Sequence, residues 1–151
     1  MGAPIRTLPT QIVGQRGRLL RRVLGWDEVA LRAYGIACAE RARGVTASLL
    51  LREGRTADAE ELRQTRGPLE LHRVSQRLAT GAGTVGTIAV GYLAAAALRA
   101  AEGAAAAAAH HAADAAVIAD GTSGALEREI EWQARWIAER AGLAVPVVAP
   151  V

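Results

Sequence analysis

LATGAGTVGTIAVGYLAAAAL, residues 78–98, decides the fold. The stretch carries no charge and is long enough to span a bilayer. Four of its residues are glycine and three are threonine, and half of the rest are alanine. Such residues gain little in hydrocarbon, unlike Leu, Ile, Phe or Val. A second alanine-rich stretch, AAAAAAHHAADAAVIAD at 104–120, follows it with the same need for cover. A helix apolar all round belongs in a core or in a bilayer. The scarcity of large apolar side chains points to the core. Residues from about 84 to 102 are therefore predicted to form the central helix of a bundle, and membrane insertion is not expected. Ala79, Gly83, Thr87, Gly91 and Ala95 recur every four residues, giving a small-residue stripe for another helix to press on. Val85, Ile88, Tyr92, Leu93 and Leu98 supply bulk on its other faces.

The whole composition agrees with an all-α chain. Its 151 residues fit one domain, with no Phe, one Met, three Trp and two Tyr. A core of Ala, Leu and Val favours helices, because Ala is the best helix former and a poor strand former. Outward from the central segment, glycines and prolines divide the chain into about six helices of a compact bundle. A short helix is expected near 11–24, ended by Gly25, and Trp26 and Asp27 fit a hydrophobic staple and N-cap for the next. That helix, about 28–52, carries Tyr34, Ile36, Cys38, Val45, Leu49 and Leu50, with Gly44 a point of bending and Gly54 a stop. Thr56 opens a short polar helix, and Gly67-Pro68 ends one helix and begins another. Gly103 and Gly121 bracket the alanine-rich helix. The last helix, ALEREIEWQARWIAERAG, puts Leu126, Ile130 and Ile137 on one face, widened by Trp132 and Trp136. The domain reading is a basic N-terminal arm with a short helix at 1–25, a bundle at 26–142 and an extended proline-containing tail at 143–151.

The net charge of +3 conceals an asymmetry. Residues 1–77 hold 14 Arg against 8 acids, a net +6, whereas 78–151 hold 4 Arg against 7 acids, a net −3. Every basic residue is Arg, and with the alanine content this fits the coding bias of a GC-rich bacterial genome. Arg16, Arg18, Arg21 and Arg22 form the densest cluster, in an arm of 22 residues without an acid. Such an arm suits nucleic acid, an acidic protein or an anionic surface. No aromatic residues interleave with it, and no helix-turn-helix or zinc signature follows. No secretory signal is read at the start, because arginines interrupt it. With the single Cys38, which excludes an internal disulfide, this fits a cytoplasmic protein.

Motifs for chemistry are sparse. His110 and Asp114 stand four apart and share a helix face, while His111 points about 100° away. A helical metal site needs two such ligands and a third from elsewhere, and only His72 and Asp120 offer themselves. The reading is a polar helix edge with His110 paired to Asp114, with no metal and no cofactor. Ser48, Ser75 and Ser123 lie outside any nucleophile elbow. GAGTVG at 81–86 lacks the spacing and lysine of a phosphate loop. Cys38 lies mid-helix in an apolar setting, where a thiol is inert. Glu60 and Glu61, and Glu127, Glu129 and Glu131, read as solvated helix faces, with Glu131 paired to Arg135.

WDEVALRAYGIACAERA at 26–42 and EREIEWQARWIAERAG at 127–142, with the alanine-rich helices between them, resemble a loosely defined group of bacterial all-helical proteins, some labelled immunity proteins of toxin loci. The likeness rests on the CAER segment, Cys38 to Arg41, and on the Trp132-Gln133 pair. It implies a helical binding protein and nominates no catalytic residue. The functional expectation is a non-catalytic module that binds a protein, of the immunity type or a second copy of itself, through shape and charge complementarity. Arg16, Arg18, Arg21, Arg22, His110, His111, Trp132 and Trp136 are the candidate contact residues. The alternative is a nucleic-acid-associated protein that uses the arginine arm.

Overall fold

The computed structural model describes residues 28–81 and 83–140. Within them the chain is all-α. Six helices follow one another: α1 (Glu28–Arg52), α2 (Thr56–Arg63), α3 (Gly67–Leu78), α4 (Val85–Ala101), α5 (Ala105–Asp120) and α6 (Ala125–Arg140). The helix expected at 11–24, the Trp26–Asp27 cap and the tail at 143–151 lie outside the described residues.

α4 is the centre of the bundle and packs on α1, α3 and α5. α5 packs on α1, α4 and α6, and α2 sits against α1 and α3. The core is built as the composition demands. Leu31, Tyr34, Cys38, Leu50, Leu62, Leu71, Val90 and Leu93 supply bulk, and buried alanines of α1, α4 and α5 fill the space between them. Small residues permit close approach. A Cβ placed on Gly35 of α1 would stand 3.2 Å from the Ala105 Cα and 3.4 Å from the Ala108 Cβ of α5. α1 and α5 therefore meet nearly backbone to backbone.

The turns fall where glycine marks them. Gly103 and Gly121, with φ of 78° and 67°, separate α4 from α5 and close the end of α5. Thr84 caps α4, its Oγ1 accepting from the Thr87 N–H at 3.2 Å. α1 runs unbroken through Gly44, which is exposed.

Arginine closes the helix ends. Arg32 donates to the Ala101 carbonyl at 3.1 Å, Arg43 to Thr65 at 2.8 Å, Arg52 to Ala119 at 2.8 Å and Arg55 to Leu78 at 3.3 Å. These carbonyls lie at or just past the C-termini of α4, α2, α5 and α3. The last carbonyls of a helix lack intrahelical partners, and a cation there also meets the negative end of the helix dipole. α1 and its exit turn thus clamp four other helices. Four of the 14 arginines counted in the first half of the chain are tied to carbonyls at helix ends.

Two packing expectations are corrected. Of the expected stripe Ala79, Gly83, Thr87, Gly91 and Ala95, Ala79 packs against the core, but Gly83 and Gly91 receive no neighbouring helix. Nothing lies within 4 Å of a Cβ on Gly83 or Gly91. α4 instead buries Gly86, Ala89, Val90, Leu93, Ala94, Ala96, Ala97 and Ala100. With small residues on every face, the larger Val90 and Leu93 choose the inward side. On α6 the buried positions are Ala125, Glu129, Gln133 and Ile137, not the Leu126–Ile130 side, which is half-buried.

Candidate functional site

The outer face of α4 is an uncharged, partly apolar stretch of the described surface. Val85, Ile88 and Tyr92 are 52%, 49% and 39% exposed. Spaced at i, i+3 and i+7, they line one helix face. Half-buried Gly91 and Ala95 flank them. No ionisable group other than the Tyr92 phenol occurs between Arg77 and Arg99. The open space above Gly91 leaves room for close approach of another backbone.

The start of this helix is held from α1. The Glu53 carboxylate accepts from the Gly86 N–H at 3.1 Å and from the Thr84 hydroxyl at 3.2 Å. A carboxylate at a helix N-terminus is favoured by unpaired N–H groups and by the dipole. The face is therefore carried on a helix fixed at its first turn and backed by three neighbours.

A second feature lies where α6 meets α1. Glu129 is 2% exposed by its side chain and bound to Arg41, with Nε 2.8 Å from Oε2. Its other oxygen, Oε1, is buried without a hydrogen-bond partner. Gln133, one turn on, accepts from the Tyr34 hydroxyl at 3.1 Å and donates to the Ala109 carbonyl at 3.2 Å. The Arg41 guanidinium covers the Trp132 ring at 5.0 Å from its centroid. Tyr34 and Trp136 approach to 5.6 Å between ring centroids. Burial raises the Glu129 carboxyl above its ordinary range, opposed by Arg41. Cys38 lies on the same face of α1 and is wholly buried. Burial pushes its thiol well up, opposed by the Tyr34 hydrogen bond, and the Glu129 charge adds to the rise. A thiol held protonated is a poor nucleophile.

The expected contact residues are dispersed. Arg16, Arg18, Arg21 and Arg22 lie outside the described residues. His110 and His111 stand on α5, their rings edge to face at 5.5 Å. His110 Nε2 is 3.3 Å from Asp114 Oδ2, the pairing that the spacing predicts. Burial first, then His110, lowers the His111 pKa, with Asp114 opposing and Arg99 of α4 adding to the fall. Trp132 and Trp136 are half-buried at the α6 seam, packed on the core and covered by Arg41 and Arg140. Among the described residues, no three of His, Cys, Asp and Glu gather in a way that holds a metal ion. No helix among them is long and apolar enough to cross a membrane.

Sequence reasoning missed two things. Glu129 was expected on a solvated face with Glu127 and Glu131, and it is instead the buried acid of the seam. The signal was Arg41, 88 residues away, which sequence spacing does not connect. The exposed side of α4 was also missed, because an apolar helix gives no polar stripe to mark its outside.

A scan of protein-family models, a search of curated proteins and a search of solved structures each find no match to this chain.

Proposed function

We propose that the protein is a non-catalytic, protein-binding helical module that docks a partner's uncharged helix face onto the outer face of α4. The exposed row Val85, Ile88 and Tyr92 carries this reading. Nothing on that row draws phosphates or an acidic surface, so an apolar protein face is the complementary occupant. An immunity-type partner and a second copy of the chain both belong to this class. The rigid backing of α4 favours binding, since little has to be ordered on docking.

The test is affinity purification of the tagged full chain from its native host, treated with nuclease and washed in high salt, beside the variant Ile88→Arg. The reading expects a discrete protein, or a second copy, retained by the parent chain and lost by the variant. Recovery of nucleic acid alone, or identical capture by both chains, overturns it. Sedimentation of the purified chain separates a second copy from another protein.

A further inference from the structure

α6 meets the bundle through a mixed seam: Ile137 joins the core and Ile130, Trp132 and Trp136 pack on its edge, but polar groups sit among them. Of its four buried residues, Ala125, Glu129, Gln133 and Ile137, two are polar, whereas the buried residues of α5 are all alanine. Burying the Glu129 end of the ion pair gives back part of its Coulomb attraction as lost hydration, and Glu129 Oε1 is left without a hydrogen-bond partner. The link before α6 contains two glycines in left-handed conformation, Gly121 and Gly124, with φ of 67° and 80°. Across that link the Arg128 guanidinium binds the Asp120 carboxylate at 3.1 Å. This clasp ties the first turn of α6 to the end of α5. Tyr34 of α1 touches Gln133 and Trp136 of α6, Arg41 touches Glu129 and Trp132, and Cys38 stands between them at i+4 on the same face, close enough to feel the Glu129 charge.

We propose that α6 is a releasable strap: it lifts from α1 and α5 while the other helices stay folded, and its lifting uncovers the Tyr34–Cys38 face of α1. The strap is independent of what binds α4. Arg41 of α1 is the charged group that acts on Glu129 across the seam, Glu129 in turn acts on Cys38, and Tyr34 adjoins them through Gln133 and Cys38. Because Glu129 is shifted upward in the folded state, its contribution to closure is complete in acid and is lost as pH rises through the raised value. The strap therefore opens more readily toward neutral pH.

Cys38, the only cysteine, reports the opening. The full chain is labelled with a maleimide in rising, sub-denaturing urea, and the rates are corrected for intrinsic thiolate reactivity. Amide exchange is followed by mass spectrometry on the same samples. The strap predicts labelling through an opening whose urea dependence is about a third of that of global unfolding or less, since α6 is a small part of the buried surface. It also predicts α6 amides protected at least about tenfold less than those of α4. Glu129→Leu should slow labelling by about tenfold, and Glu129→Gln, the closer isostere, by less. Labelling with the full urea dependence of global unfolding, with α6 as protected as α4, overturns the proposal. Labelling left unchanged by both variants overturns the polar seam as its cause.

Discussion

Arg41 of α1 reaches Glu129 of α6 at 2.8 Å and lies over the Trp132 ring beside it. One guanidinium thus neutralises a buried acid and covers an aromatic on the same helix. Arg41 is 32% exposed and Glu129 2%, so the two ends of the pair are not equivalent. Removing Arg41 strands a charge in the core, whereas removing Glu129 leaves a cation that can turn to water.

Arg41→Met should therefore destabilise the protein by about 2–3 kcal/mol, below the usual range for breaking a fully buried pair because Arg41 is partly solvated. Glu129→Leu should lie within about 1 kcal/mol of the parent or above it. The double variant should recover most of the Arg41→Met loss. Urea unfolding of the four chains at one pH checks this, and a double variant as unstable as Arg41→Met alone contradicts it.

The pH dependence has two limbs of opposite sign. Glu129 has a raised folded pKa, so it favours the folded state most in acid, below the ordinary glutamate value of 4.5, and this support fades as pH rises. His111 has a lowered folded pKa, so its support is present above the ordinary 6.5 and is lost as pH falls through the lowered value. Thermal unfolding of His111→Gln should show a smaller loss of stability between pH 7 and pH 5 than the parent. Equal losses in both would contradict the assignment to His111.

Two glycines of α1 should respond oppositely to alanine. Gly44 has open space around it in mid-helix, so Gly44→Ala should stabilise by about 0.5–1 kcal/mol. Gly35→Ala presses a methyl on the Ala105 backbone of α5 and should destabilise by about 1–3 kcal/mol. The melting temperatures of the two variants check the contrast.

How much of this was legible follows the range over which each signal acts. Gly54, Gly103, Gly121, Pro68 and Thr56 mark helix limits locally, and each stands within two residues of an observed boundary. The His110–Asp114 pair lies within one helix turn and is read from spacing alone. The helix clamps of Arg32, Arg43, Arg52 and Arg55 link residues 22 to 69 positions apart, so their arginines looked like free positive charge. The orientation of α4 was hidden for another reason. Glycine and alanine on all sides provide no amphipathic contrast, and only packing decides that Val90 and Leu93 point inward and Ile88 and Tyr92 outward.

The clamp itself is testable. Arg52→Ala removes the bond to the Ala119 carbonyl and should lower stability by about 0.5–1.5 kcal/mol, with the added loss of charge at the end of α5. Amide exchange should show the loss first in the last turn of α5. Faster exchange spread evenly over all helices would contradict a local cap.

The binding role of α4 is tested most directly by capture from the native host with the parent chain and with Ile88→Arg, after nuclease and in high salt. Ile88 is about half exposed, so the variant should keep its fold and its melting temperature. The account predicts a protein, or a second copy of the chain, held by the parent and absent from the variant. The same capture by both chains, or nucleic acid alone, would contradict it.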